Sequence, residues 1–187
     1  MSSTKKTVIT AMLIAAGVVL PIIFHMVPAG WGGRVGLPMH IPVLLGGLLV
    51  GPFYGFFGGL ITPLFSSMMT GMPHAGPAVY RMMIELSVYG LTAGFVMRWV
   101  HTKRPLVDWY ISLVAAMLAG RAAAGLAQAF LLFDGNYNWG LWVAGYFTAS
   151  LPGIVLQLVI IPVIMTALMR ARLIPQTRNK KNERNPY

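Results

Sequence analysis

The sequence predicts an all-α integral membrane protein, a compact bundle of six transmembrane helices with both termini in the cytoplasm. Hydrophobic residues make up 57% of the chain, the mean hydropathy is +0.70, and only 10% of the residues are charged. Such a composition is typical of a protein that lies in a bilayer. Lysine and arginine flank the apolar runs instead of interrupting them, as positive residues do at cytoplasmic helix ends.

The formal net charge of +10 does not indicate nucleic-acid binding, because no lysine lies between Lys6 and Lys103. We instead expect membrane lipid as a partner, with the basic C-terminal tail near anionic headgroups. The chain is therefore divided into a six-helix transmembrane domain over residues 1–170 and a basic cytoplasmic tail over residues 171–187. Cysteine is absent, which excludes disulfides, thiolate metal sites and cysteine nucleophiles.

The first helix is predicted over residues 7–28, about the 20 residues that a bilayer crossing needs. A cleaved signal peptide is the competing interpretation, but no clear small-residue cleavage site ends this run. Ala11 and Ala15 lie one turn apart on a face of small residues. Such a face allows close contact between helices, either within the bundle or with another protein.

The rest of the bundle is organised around residues 37–73, an apolar run with no acid and no base other than His40. Glycine and proline recur in it, and bilayer helices tolerate both because neighbouring helices satisfy the freed backbone groups. We predict two helices here, over residues 39–51 and 53–71. A turn over residues 51–55 joins them, so their far ends return to the same side of the membrane.

Three further helices are predicted over residues 79–100, 108–133 and 141–169. The loop after the first of them is basic, whereas the loops on the other side of the membrane carry only Arg34 among lysines and arginines. Six spans with both termini inside satisfy the positive-inside rule. Pro152 and Pro162 are expected to bend the last helix.

Ionisable residues inside membrane spans are costly and mark functional sites. With a rise of about 1.5 Å per residue, Glu85 and Arg121 fall at similar depths in neighbouring helices. They form an ion pair that ties two helices together, part of a ligand site, or both, since a pair that lines a cavity can also present donors to a ligand. We expect the single amide of Gln157 to make a hydrogen bond between helices.

We predict a ligand site in the outer half of the bundle. Its wall comprises His40, Ser66, Met69, Arg81, Glu85, Arg121, Gln128 and Trp139. Alternatives stay open for three of them, since Arg81 could snorkel to the interface and Met69 could pack against lipid or core. Trp139, together with Trp142, could be an interfacial anchor or a lid over the ligand.

Other site chemistries are not expected. The histidines are scattered without ligand spacing, so no metal is predicted. Nucleotide-binding fingerprints are absent, so no cofactor is expected and ATP-driven work must come from a partner chain. Ser66 or Ser67 could suggest an intramembrane hydrolase, but no orienting third group is evident and no catalytic residue is assigned. An assembly factor without a ligand is a further alternative.

Four segments resemble the substrate-binding S components of energy-coupling factor (ECF) vitamin transporters. They occur in order at residues 37–73, 84–94 (IELSVYGLTAG), 117–125 (MLAGRAAAG) and 150–163 (SLPGIVLQLVIIPV). The resemblance implies a non-catalytic subunit of the bacterial plasma membrane that captures a small water-soluble vitamin from outside for uptake. It also implies docking on a transmembrane coupling subunit and two ABC-type ATPases.

The resemblance also implies particular contacts and substrates. Ala11 and Ala15 match a family pattern that contacts the coupling subunit, and residues 29–38 match the loop that covers the site. The pantothenate and pyridoxine/hydroxymethylpyrimidine groups are the most similar. A buried Arg121 beside one carboxylate favours the anion pantothenate. If Glu85 fully neutralises Arg121, a neutral heteroaromatic alcohol fits equally well.

Overall fold

The computed structural model describes residues 1–25, 38–102, 104–130, 139–148 and 150–173. Within these ranges all regular structure is helical, which confirms the predicted all-α class. The elements are α1 (Ser3–His25), α2 (His40–Val50), α3 (Pro52–Thr70), α4 (Pro77–Trp99), α5 (Pro105–Phe130), α6 (Trp139–Val143), a π-helix (Ala144–Thr148) and α7 (Leu151–Arg170). Three stretches are long and apolar enough to cross a membrane: Ser3–Ile23, Pro105–Ala129 and Leu151–Arg170.

The reversal between α2 and α3 takes a single residue, Gly51, so the predicted turn over residues 51–55 was too long. Gly51 has a φ of 119°, in the region that favours glycine because a Cβ would clash there. Its N–H donates to the carbonyl oxygens of Gly46 and Gly47 at the end of α2. Pro52 then opens α3, at a position where its missing N–H costs nothing.

The last predicted helix, over residues 141–169, is not continuous. The structure divides it into α6, the π-helix and α7, and α7 begins only after Ser150. Pro152 lies in the first turn of α7. Proline has no N–H and clashes with the preceding turn, so here it starts a helix where the sequence had suggested a bend. Pro162 lies inside α7.

Backbone contacts between glycines join α2, α3 and α4. A Cβ on Gly90 would overlap the backbone of Gly55, and a Cβ on Gly55 would lie 2.6 Å from the carbonyl oxygen of Gly90. Gly47 meets the same carbonyl from α2, and Gly59 lies against the backbone of Leu86. These three helices are therefore as close as backbones permit, in the way small residues allow in membranes.

Basic residues gather at one end of the bundle. The hydroxyl of Ser3 lies 3.4 Å from that of Tyr54, which brings the starts of α1 and α3 together. The guanidinium of Arg98, at the end of α4, lies against Gly51. We call this the basic end and the other the opposite end.

The apolar core lies between α2, α4, α5 and α7. Its buried members are Ile41, Leu44, Leu45, Leu48, Tyr89, Ala93, Trp109, Leu113, Ala116, Met117, Ile161 and Met165. Large apolar side chains on α3 and α7, such as Phe57 and Val159, are exposed instead. Exposed apolar faces on apolar helices fit a bilayer surrounding.

Candidate functional site

Four buried polar side chains lie next to the apolar core, on the side that faces the opposite end of the bundle. His40, Glu85, Arg121 and Gln157 are 2%, 6%, 2% and 0% exposed, and we call them the polar layer. Each lies one turn beyond a core residue of its own helix. Those core residues are Leu44, Tyr89, Met117 and Ile161. Because residues four apart share a helix face, the polar layer faces the same interior as the core.

Contacts between helices place three of these residues at one level. Nε2 of His40 lies 3.6 Å from Oε1 of Glu85, and the ring centroids of His40 and Tyr89 are 5.2 Å apart. A Cβ on Gly120 would lie 2.9 Å from the carbonyl oxygen of Glu85. Arg121 therefore enters the bundle beside Glu85, at the depth that the helical rise predicts.

The suggested ion pair between Glu85 and Arg121 does not form in the structure. The carboxylate of Glu85 instead faces His40, across α2 and α4. Helical rise predicts depth, but the direction of each side chain around its helix axis decides which neighbour it meets. The alternative in which Glu85 pairs with Arg121 is therefore not the one that the structure shows.

The guanidinium of Arg121 is buried without a carboxylate partner among the residues that the structure describes. Its Cζ lies 5.6 Å from the ring centroid of Phe147, within the range of a cation–π contact. Its Nε makes no hydrogen bond in the described part of the chain. A buried charge is costly unless it is paired and hydrogen-bonded.

Gln157 was expected to form a hydrogen bond between helices, and this expectation was wrong. Its side chain is 0% exposed, yet neither its amide nitrogen nor its amide oxygen has a partner among the described residues. Sequence reasoning did not place it in the site. The available signal was one amide in an otherwise apolar helix, since polar groups within spans mark functional positions.

Two aromatic side chains, Trp142 and Phe147, lie over this region, and we call them the aromatic shelf. Their ring centroids are 5.6 Å apart in an edge-to-face arrangement. A Cβ on Gly125 would lie 2.6 Å from the Trp142 ring, so the shelf packs on α5 one turn beyond Arg121. Phe147 belongs to the π-helix, a geometry that is frequent at functional sites. Sequence reasoning had not singled out Phe147.

Arg81 and Gln128 meet beyond the polar layer, farther toward the opposite end. Nη1 of Arg81 lies 3.5 Å from Oε1 of Gln128, which links α4 to α5. This end of the bundle therefore contains two arginines, whereas its one described carboxylate, Glu85, faces His40.

Two predicted wall residues, Ser66 and Met69, are not brought to the polar layer, and the position of a third is not described. Ser66 is fully buried, but its hydroxyl donates to the carbonyl oxygen of Met72 at 2.7 Å and closes the end of α3. Met69 is 73% exposed on the outside of the bundle. Trp139 begins α6, and its side chain lies outside the described part of the chain. Ala11 and Ala15 are exposed on α1.

Comparison with known proteins gives one family. A family model described as the substrate-specific component of the ECF transporter matches residues 5–165. Neither the curated proteins nor the solved structures give a significant match. Members of this family are membrane subunits that bind the transported small molecule, generally without catalysis, and work with an ECF module of ATPases and a transmembrane component. Since the match spans most of the sequence, the chain belongs to the ECF transporter substrate-specific component family.

Proposed function

We propose that this chain captures a small anionic vitamin, pantothenate, from outside the cell for an ECF-type importer of a bacterial plasma membrane. One observation carries the choice of substrate, namely the buried Arg121 without a carboxylate partner among the described residues. The planar guanidinium fork is suited to bidentate recognition of a carboxylate. Because Glu85 faces His40, it leaves that fork available to a ligand.

The proposed ligand lies between the polar layer and the contact of Arg81 with Gln128. His40, Glu85 and Arg121 form its floor, and the aromatic shelf covers one side. This arrangement keeps five of the eight wall residues predicted from the sequence and adds Phe147. Residues 29–38, of which only Pro38 lies within the described ranges, are proposed to cover the site from outside.

The topology is proposed from charge. We place the basic end in the cytoplasm, as the positive-inside rule requires, which puts the polar layer in the half of the bundle that meets the outer solution. α6, the π-helix and α7 together make the last of six crossings, and both termini then lie in the cytoplasm. Residues 1–170 form the substrate-binding domain, and residues 171–187 form its basic tail.

Pyridoxine or hydroxymethylpyrimidine is the second candidate, and the aromatic shelf favours it. Trp142 and Phe147 offer faces and edges on which a heteroaromatic ring could pack. A neutral ring would leave Arg121 without an anion, however, so this candidate explains fewer of the site's polar groups. An intramembrane enzyme or an assembly factor explains none of them.

Ligand titration tests the proposal. Purified protein in detergent is expected to gain thermal stability with pantothenate, by about 2.7 kcal/mol at a ligand concentration of 100 times Kd. Pyridoxine and hydroxymethylpyrimidine are expected to give smaller gains. Stabilisation by a neutral vitamin alone would favour the second candidate. If none of the three stabilises the protein, or if the chain alone hydrolyses ATP, the proposed function is wrong.

The exposed alanine face of α1 is proposed to contact the transmembrane coupling subunit. Ala15→Trp, and likewise Ala11→Trp, is expected to abolish vitamin uptake by cells while vitamin binding to the isolated protein stays unchanged. A large ring at either position would block the close approach that small residues permit. Met12→Trp is the matched control, because Met12 is 68% exposed on the neighbouring face of α1. Normal uptake by both alanine variants would contradict this contact.

A further inference from the structure

A buried imidazole and a buried carboxylate face each other where His40 meets Glu85. Histidine is the side chain whose charge ordinarily changes between about pH 5 and 8. Nε2 of His40 lies 3.6 Å from Oε1 of Glu85, just beyond hydrogen-bond distance. Neither ring nitrogen has a hydrogen-bond partner among the described residues. A proton on Nε2 would turn this gap into a charge-assisted hydrogen bond, which is shorter and stronger than a neutral one.

The helices around this pair bring few charges to it. α5 contributes Arg121, and α4 contributes Tyr89, whose neutral phenol ring packs against His40. α2 has no other ionisable residue. In the described part of the chain, the buried side chains of α1, α3 and α7 are neutral. The second buried carboxylate, Asp108, lies at the basic end, where it accepts hydrogen bonds from the loop before α5.

The buried charge at the level of the polar layer therefore depends on three side chains. Arg121 contributes one positive charge, Glu85 contributes one negative charge, and His40 contributes one positive charge or none. With a neutral His40, these charges sum to zero. Arg81 is only half-buried and lies beyond the polar layer, where solvent screens its charge.

We infer that the pair of His40 and Glu85 is a binding site for one proton, which the protein takes up from solution together with its anionic solute. The inference rests on the proposed function and adds a second, linked ligand to it. A solute carboxylate beside Arg121 leaves two buried negative charges against one positive charge. A proton on Nε2 of His40 restores a sum of zero, and unbalanced buried charge is costly. Anion and proton therefore favour each other's binding, and this coupling is reciprocal.

Titration calorimetry counts the proton. When pantothenate binds to the parent at about pH 7, in two buffers of different ionisation enthalpy, uptake of about half to one proton is expected. Because the proton is a reactant, Kd should fall as the pH is lowered from about 8 to about 6, at most about tenfold per pH unit. The ligand carboxylate stays ionised in this range, since carboxyl groups ordinarily titrate near about pH 4.

Glu85→Gln tests which groups hold the proton. The variant is expected to bind pantothenate without proton uptake, because Arg121 alone then balances the anion. Its affinity at about pH 8 should equal or exceed that of the parent, since the competing negative charge is gone. His74→Gln is the matched control, because His74 is exposed in the loop before α4, and it should keep the proton uptake of the parent. If Glu85→Gln takes up as many protons as the parent, the inference is wrong.

A neutral analogue separates this inference from the proposed function and requires no variant. In the alcohol analogue of pantothenate, a hydroxymethyl group replaces the carboxylate. The parent is expected to bind it more weakly than pantothenate and without proton uptake. This comparison decides the question even if Glu85→Gln does not fold.

The possible outcomes distinguish the two proposals. Equal proton uptake with both ligands, or none with pantothenate, overturns the proton site and leaves the proposed function standing. A parent that does not bind pantothenate overturns the proposed function itself, and this inference with it.

Discussion

Arg121→Gln is expected to abolish high-affinity binding of pantothenate while leaving the protein folded. Truncating one partner of a buried, hydrogen-bonded charge pair typically costs about 2–5 kcal/mol, which corresponds to roughly 30- to 5,000-fold in Kd. Since Glu85 faces His40, the substitution does not strand a buried carboxylate. Binding is measured by titration calorimetry, and folding is measured by monodispersity and melting temperature in detergent.

The matched control for this variant is Arg104→Gln, which removes an exposed arginine at the basic end. It is expected to change neither affinity nor melting temperature. A neutral vitamin should lose less affinity than pantothenate in Arg121→Gln, because only the anion uses the charge. If the variant folds and binds pantothenate as tightly as the parent, Arg121 is structural and the substrate assignment is wrong.

Gly59→Ala is expected to destabilise the whole bundle. A Cβ at this position overlaps the carbonyl group of Leu86 in α4, and backbone cannot move aside as a flexible side chain can. Overpacking of a close-packed interior costs about 1–3 kcal/mol and sometimes more. The variant should also lose ligand affinity, because the displaced segment of α4 carries Glu85. Melting temperature and the monodisperse fraction after size-exclusion chromatography are the readouts.

Gly58→Ala provides an unusually close control for that variant, on the neighbouring residue of the same helix. Its Cβ would meet only a methyl group of Thr10 at 3.8 Å, which is ordinary van der Waals contact. Alanine is favoured over glycine in a helix interior by about 0.5–1 kcal/mol. Gly58→Ala should therefore be as stable as the parent or more stable. Equal melting temperatures for the two variants would contradict the close approach of α3 and α4.

The helices could largely be predicted because their signals are local. Apolar runs bounded by glycine, proline and basic residues indicated α1 to α5 to within a few residues. The break between the π-helix and α7 was missed. Pro152 is compatible with either a bent helix or a new one, and the choice depends on how the segment packs against α5, which the local pattern does not contain.

The sequence predicted how deep the candidate site residues lie in the bundle, but not toward which neighbours their side chains point. Counting residues brought Glu85 and Arg121 to one level, yet it could not show that Glu85 faces His40. The wrong placement of Met69 has the same cause. Its depth along α3 is compatible with the site, but its side chain lies on the outside of the bundle. Gln157 stood out only once the structure showed that its amide has no partner among the described residues.

Because of the glycine contacts, we expect one part of the bundle to be more rigid than the rest. Backbone touches backbone where α2, α3 and α4 meet, so these helices cannot separate or slide without losing that fit. α7 places Ile161 and Met165 in the core, follows a π-helix, and has 28% of its span buried. The site thus has one rigid wall, which sets the geometry of His40 and Glu85, and one compliant wall, which carries Gln157. We therefore expect α7 to move aside more easily than α2, α3 or α4 when a solute enters the proposed site.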